Sequence, residues 1–159
     1  MTTIAYKDGI LAADSRASNN GYISHNSANK IIREIHPEFG EMLFAVSGDA
    51  VEGKEAIKDI LIKGQYKPFH NETYFNILGI DKQGNLRMWC LGETHTDGEL
   101  LRCPFYATGS GKLLSLAAME CGKSAVESVE IASKFDPFTG GLIYGFCVKS
   151  HKIVSIKPC

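Results

Sequence analysis

Short apolar segments on either side of turn sequences recur along this chain. At the start, residues 2–6 (TTIAY) and 10–13 (ILAA) flank Lys7-Asp8-Gly9, a combination typical of a β-hairpin. A polar stretch rich in Gly and Asn follows, and we expect residues 17–29 to form a loop. The whole pattern predicts strands at residues 2–6, 10–13, 30–35, 42–48, 76–80, 86–91, 105–108, 142–148 and 152–156.

Three further segments carry apolar residues at helical spacing. The first two are residues 49–63 and 113–121. The third begins at Ser124-Ala125-Val126-Glu127, a capping box whose hydroxyl and carboxylate satisfy each other's backbone amides, and it ends before Pro137. The predicted strands follow one another in pairs along the chain, and the helices are grouped between these pairs. This order predicts an α+β protein with antiparallel sheets.

The composition is that of an ordinary globular domain. The chain has 159 residues, 44% of them hydrophobic and 22% charged, so we expect a single domain over residues 1–159. The net charge of −1 gives no surplus of Lys and Arg for nucleic acid or an anionic membrane. Apolar runs are too short to span a bilayer, and the start lacks the features of a secretory signal. Five cysteines without a C-x-x-C motif favour reduced thiols and a cytoplasmic location.

Thr2 is a candidate nucleophile. If Met1 is removed, its hydroxyl and a free α-amine belong to the same residue. An α-amine has an ordinary pKa of about 7.7–8.0, so it can act as the base that activates the hydroxyl near neutral pH. Met-Thr is also an ordinary start for a protein, so this signal needs support from elsewhere in the chain.

Two charged residues supply candidate support. An ammonium close to the α-amine would hold the amine neutral, and Lys30 can provide one. A carboxylate would have to orient that lysine, and Asp14 can provide it. Taken singly, Asp14 also fits a solvated strand end, and Lys30 also fits an exposed strand residue.

Five segments, in this order along the chain, resemble the proteasome β-subunit family, which includes the bacterial HslV peptidase. TTIAYKDGILAADSR is similar to the family's first hairpin, and SANKIIREI to its lysine-bearing strand. FAVSGDA resembles the oxyanion turn, YATGSGKLLSLAA the Gly-Ser-Gly helix start, and DPFTGGLIYGF the Asp-x-x-(Ser/Thr)-Gly-Gly segment. Within the family, the chain is most similar to the short proteasome-like proteins of phage and prophage genomes.

The resemblance implies a fold and a set of roles. The fold would be a four-layer αββα sandwich, two antiparallel sheets face to face with helices outside. Thr2 would be the nucleophile, Asp14 and Lys30 its supporting pair, and Arg16 a residue that positions a loop. The backbone at Ser47 and Gly48 would form the oxyanion hole. A second cluster, around the N-terminus, would consist of Ser110, Asp136 and Thr139, although Asp136 before Pro137 also fits a plain helix stop.

The implied activity is that of a self-compartmentalising threonine peptidase that cuts peptides or unfolded proteins. The resemblance implies no metal or organic cofactor, since the amine makes both proton transfers. It also implies a homo-oligomeric ring, hexameric or heptameric or a stacked double ring, with an unfolding ATPase as a further partner. Residues near Ala17, Ala28, Ile32 and Ala45 would line the specificity pocket and favour an apolar side chain before the cut.

Two departures from the family pattern stand out. Thr2 and Asp14 are twelve residues apart, whereas most members have sixteen between the corresponding residues. Because a hairpin pairs residues about its turn, we expect the loss of two residues from each strand to leave Thr2 opposite Asp14. Ser47 stands where many members have glycine.

Other signals in the sequence are weaker. Gly109-Ser110-Gly111-Lys112 lacks both the upstream Gly and the following Ser or Thr of a phosphate-binding loop. His95 and Asp97, with Cys90 nearby, are too few and too irregularly spaced for a closed zinc site. A different class of function also remains open: a catalytically inactive scaffold or interaction protein of the same fold that retains Met1.

Overall fold

A computed structural model describes residues 2–19, 21–63, 75–91 and 98–158 of the chain. Twelve strands and three helices are found in these ranges. Strands β1 to β12 span Thr3–Lys7, Ile10–Asp14, Ala17–Asn19, Tyr22–His25, Ile31–His36, Gly40–Gly48, Phe75–Asp81, Leu86–Leu91, Glu99–Leu101, Phe105–Gly109, Leu142–Cys147 and Lys152–Pro158. Helices α1 to α3 span Ala50–Lys63, Lys112–Glu120 and Ala125–Ser133.

The strands form two antiparallel five-stranded sheets and one small hairpin. The first sheet has the order β10-β1-β2-β11-β12, and the second has the order β5-β6-β7-β8-β9. Strands β3 and β4 pair only with each other. This hairpin lies within residues 17–29, so the prediction of a plain loop there was wrong. Strand β4 is exposed along its whole length and β3 is at most half-buried, so the hairpin lacks the one-sided apolar alternation that identifies a half-buried strand.

Alternation along β1 shows how the layers are built. Ile4 lies in an apolar cluster between the two sheets, whereas Ala5 lies in a cluster that joins the first sheet to α2 and α3. Successive side chains of a strand point to opposite faces, so one strand contributes to both clusters. The outer face of the second sheet packs on α1 through Phe44, Ile57 and Ile60. This sheet-rich arrangement with three helices is compatible with the predicted sandwich.

Small residues on the first sheet allow its helices to approach closely. Ala5, Ala12 and Ala107 are among the strand residues that face α2 and α3. A Cβ at Gly145 would come within 2.8 Å of Val126 Cγ2 on α3. The start of α2, two residues after β10, lies against the start of β1, where the Gly111 N–H donates to Thr3 Oγ1 at 3.0 Å.

The local prediction for α3 was confirmed. Ser124 is the N-cap, its hydroxyl accepts from the Glu127 N–H, and the Glu127 carboxylate accepts from the Ser124 N–H. None of the three helices in the described ranges has the length and apolar character needed to cross a bilayer.

Candidate active site

Thr2 lies immediately before the first strand, beside a cavity. The residue is 5% exposed and lines a cavity of about 510 Å³. Lys30, which precedes β5, and Gly48, which ends β6, line the same cavity. The Thr2 carbonyl oxygen accepts a 2.9 Å hydrogen bond from the Ser110 N–H. Residues from both sheets and from the start of α2 therefore meet at Thr2.

Asp14, at the end of β2, is the most highly coordinated side chain of this region. Its Oδ1 accepts from the Thr3 N–H at 2.9 Å and from Lys30 Nζ at 2.7 Å. Its Oδ2 accepts from the backbone N–H groups of Arg16 and Gly140, at 3.1 and 3.0 Å. Four donors, at residues 3, 16, 30 and 140, thus hold the carboxylate in one orientation, next to the amide that follows Thr2.

Lys30 is buried with its partner. Its side chain is 7% exposed, and that of Asp14 is fully buried. Burial lowers the pKa of the Lys30 ammonium below its ordinary value, and the attraction of Asp14 opposes this change without cancelling it. The ammonium is therefore a cation that a nearby negative charge would stabilise.

The register of the first hairpin differs from the prediction by one residue. Ile4 pairs with Ala13 and Lys7 with Ile10, so Thr3, not Thr2, lies across from Asp14. The cause is the two-residue turn at Asp8 and Gly9, both at positive φ. A two-residue turn pairs positions whose numbers differ by an odd amount, and Thr2 and Asp14 differ by twelve. Asp14 consequently contacts the Thr3 amide.

The second predicted cluster is assembled around Asp136. The Asp136 Oδ2 accepts from Ser110 Oγ at 2.6 Å and from Thr139 Oγ1 at 2.5 Å, and its Oδ1 accepts from the Phe138 N–H. Burial alone would raise the pKa of this carboxyl, but these three hydrogen bonds lower it below its ordinary value. Ser110 Oγ also lies 3.4 Å from the Thr2 carbonyl oxygen, which connects the cluster to Thr2.

Gly109 is required by the close approach of the chain to Thr2. It lies across from Thr3 at a φ of 99°, and a Cβ there would come within 1.7 Å of the Thr2 carbonyl oxygen. Only glycine combines this backbone conformation with that contact. The first glycine of the Gly-Ser-Gly segment therefore allows Ser110 to reach Thr2.

Ser47 and Gly48 have different positions relative to the cavity. The Ser47 hydroxyl is buried and hydrogen-bonds Thr108 Oγ1 at 3.0 Å, which joins the two sheets. The Val46 N–H donates to the Lys30 carbonyl at 3.3 Å. Because N–H groups alternate along a strand, that of Gly48 is on the same side as that of Val46, and Gly48 lines the cavity. Of the two predicted residues, Gly48 is thus the one whose N–H is directed to the cavity side.

Arg16 connects the hairpin to the segment that carries Thr139. Its guanidinium donates to the carbonyl oxygens of Pro137 at 2.8 Å and Thr139 at 3.2 Å, and to Asn26 Oδ1 at 3.1 Å. A Cβ at Gly140 would come within 2.3 Å of Arg16 Cζ. The side chain therefore lies against the Gly140 backbone.

The cavity contains three of the four residues named for the pocket. Ala17, Ala28 and Ile32 line it. Ala45 does not, because it points into the cluster between the sheets, and its neighbour Val46 faces the cavity instead. The cavity residue near Ala45 is therefore Val46, because successive side chains of a strand point to opposite faces of the sheet. Polar residues also line the cavity: His25, Asp49 and Lys54.

Thr3 contributes to the site although no role for it could be predicted from the sequence. Its side chain lies among the residues of the Asp136 cluster, and nothing in a Thr-Thr pair distinguishes the second hydroxyl. Residues 92–97, which include His95 and Asp97, lie outside the described part of the chain. Among the described residues, no three His, Cys, Asp or Glu side chains come together as a metal-binding group.

Comparison with known proteins gives a partial match. No protein-family profile matches the chain. Proteasome subunit beta type-5-B of Arabidopsis thaliana is 38% identical to it over 84 residues, 51% of this chain. The matched segment is 29% of that protein, so the chain spans less than a third of its relative's length. The chain is therefore similar, distantly and over half of its length, to a proteasome β subunit.

Proposed function

We propose that this protein is a proteasome-like threonine peptidase whose nucleophile is the Thr2 hydroxyl once Met1 has been removed. The observation that carries the proposal is the buried Asp14–Lys30 pair beside the cavity that Thr2 lines. A buried ion pair adds little to stability compared with apolar residues of the same volume. A buried ion pair beside a cavity is therefore better explained by a role in catalysis than by a contribution to stability.

The proposed reaction proceeds through an acyl-enzyme. The Thr2 Oγ attacks the peptide carbonyl carbon and its proton passes to the Thr2 α-amine. The amine then gives this proton to the leaving nitrogen as the C–N bond breaks. Water attacks the resulting ester, again with the amine as base, and the acid product leaves as the proton returns to Thr2 Oγ.

Electrostatic support comes from two sides of the nucleophile. The Lys30 ammonium, held by Asp14, would favour the neutral amine and stabilise negative charge on Thr2 Oγ. The Gly48 N–H, on the cavity side of β6, would donate to the oxyanion of the tetrahedral intermediate. Such a donor contributes about 2.7–4 kcal/mol in other acyl-transfer enzymes.

The substrate would be a peptide or an unfolded protein with an apolar side chain before the cut. Ala17, Ile32 and Val46 provide the apolar part of the cavity that would hold this side chain. We also propose that residues 1–159 form one domain of the N-terminal nucleophile hydrolase fold. In keeping with the resemblance to ring-forming peptidases, the protein would assemble into a homo-oligomeric ring in the cytoplasm. An ATPase that unfolds substrates would be its partner. The short proteasome-like proteins of phage would be the members of the family that resemble it most.

Replacement of the hydroxyl tests the proposal. Thr2→Ala should remove hydrolysis of fluorogenic peptides, and Thr2→Ser should keep a measurable part of it, because serine retains both hydroxyl and amine. Far-UV circular dichroism and size-exclusion chromatography should be unchanged in both variants. Equal hydrolysis by wild type and Thr2→Ala would refute the proposal and leave the scaffold hypothesis.

A further inference from the structure

The Thr3 hydroxyl occupies a fully buried position on the helix-facing side of β1. It accepts a 3.0 Å hydrogen bond from the Gly111 N–H and lies 2.5 Å from Thr139 Oγ1. Gly111 is the N-cap of α2 and offers no side-chain cap of its own. The start of α2 is therefore held by a hydroxyl from the first strand.

The direction of this hydrogen-bond chain follows from the chemistry of its end. Thr139 Oγ1 donates its single proton to Asp136, whose carboxylate can only accept. In the contact between Thr3 and Thr139, the proton must then come from Thr3. The chain consequently runs from the Gly111 N–H through Thr3 and Thr139 to Asp136, which also accepts from Ser110.

Close packing leaves little freedom at this point. A Cβ at residue 111 would lie 2.4 Å from Thr3 Oγ1 and 3.1 Å from Thr139 Oγ1. The contact therefore depends on glycine at residue 111 and a hydroxyl at residue 3. Each hydrogen bond of such a chain polarises the next, so loss of the Thr3 hydroxyl weakens the whole chain.

Thr3 also touches the other half of the candidate site. Its backbone N–H donates to Asp14 Oδ1, the oxygen that binds Lys30. One residue is thus tied by its amide to the ion pair and by its hydroxyl to the cluster of Ser110 and Asp136. Both groups of contacts flank Thr2, the neighbour of Thr3 in the chain.

We propose that the Thr3 hydroxyl is a positioning group for Thr2: it fixes Ser110 and Asp136 relative to the nucleophile and does not itself touch substrate. This inference rests on the proposed peptidase function. It predicts an effect on the rate at which bound substrate or inhibitor reacts. Binding in the cavity should not change, because the cavity-lining residues do not include Thr3.

The test uses the kinetics of covalent labelling by a peptide epoxyketone, which gives a binding constant and a maximal rate separately. In Thr3→Val, a near-isosteric change, the maximal rate should fall about tenfold, the usual effect of one lost hydrogen bond in a positioned network. The binding constant should stay within about twofold, since apolar contacts in the cavity remain. Thr3→Ser should recover most of the rate, because it restores the hydroxyl.

Ser128→Ala is the matched control. This hydroxyl is also fully buried, and it donates to the Ala125 carbonyl at 2.7 Å within α3. Its loss should lower stability without changing the labelling rate. The inference is overturned if wild type is labelled and Thr3→Val reacts equally fast, if Thr3→Ser gives no recovery, or if Ser128→Ala slows labelling as much. A wild type that is not labelled at all refutes the proposed function, and the inference falls with it.

Discussion

Asp14 and Lys30 join the two sheets through a 2.7 Å ion pair that is almost entirely removed from solvent. Asp14 ends a strand of the first sheet, and Lys30 immediately precedes β5 of the second. The pair therefore couples the relative position of the sheets to the geometry around Thr2.

Removal of one member of the pair should be strongly destabilising. Lys30→Met leaves the Asp14 carboxylate buried without its cation, which costs about 3–5 kcal/mol in comparable cases. Urea denaturation measures this as a loss in the free energy of unfolding. The exposed Lys58–Glu55 pair on α1 supplies the control, because Lys58→Met should change this quantity by at most about 1 kcal/mol. Similar losses for the two variants would contradict the buried character of the Asp14–Lys30 pair.

The free energy of unfolding should fall when the pH is lowered from 7 to 5. Burial lowers the pKa of both His36 and His151 in the folded protein. Between this lowered value and the ordinary one of about 6.5, the unfolded chain binds more protons, so stability decreases as the pH falls through that window. One histidine contributes a slope of at most about 1.4 kcal/mol per pH unit.

His151→Asn tests the pH effect at one site. Asparagine tolerates the positive φ of 52° at this position and does not titrate. Guanidinium denaturation of both proteins at several pH values should show a smaller slope in the variant. Identical slopes between pH 7 and 5 would exclude His151 as a source. Glu41 and Glu127, each with a pKa lowered to about 2, lose their contribution only below about pH 4.5, outside this window.

Gly109→Ala should disrupt the Thr2 carbonyl contact. The substitution adds both the strain of a positive φ and a clash with the Thr2 carbonyl oxygen. Gly122→Ala is a matched comparison, since Gly122 has a φ of 85° and a methyl group there would meet nothing within 4 Å. The control should cost about 1–2 kcal/mol from backbone strain alone, and Gly109→Ala should cost clearly more. Equal melting temperatures for the two variants would show that the Gly109 contact is unimportant.

The cavity should favour an apolar side chain in the substrate. Among fluorogenic peptides that differ only in the residue before the cut, those with leucine or valine should have the highest kcat/KM. Ile32→Asn should reduce this quantity about 10- to 200-fold for the apolar peptides, the range for loss of a pocket contact. Ile35→Asn, on the same strand but 74% exposed, should leave it unchanged. A preference for acidic or basic peptides would contradict the assignment of the cavity.

Features encoded by neighbouring residues could be predicted from the sequence, and features set by register could not. The capping box at Ser124 and Glu127 depends on four consecutive residues, and the structure contains it. The pairing of Thr3 with Asp14 depends on the length of a turn, and the direction of Ala45 depends on alternation over a whole strand. An error of one residue in the pairing register or in the alternation assigns each side chain to the wrong face of the sheet. The hydroxyl contact between Thr3 and Thr139 joins residues 136 positions apart, so no local sequence pattern predicts it.

Whether Thr2 becomes an N-terminal nucleophile can be read from the mass spectrum of the epoxyketone-treated protein. We expect that the purified chain lacks Met1 and gains the mass of one inhibitor, and that fragmentation places the adduct on Thr2. A chain that retains Met1, or an adduct on any other residue, would contradict the proposed mechanism.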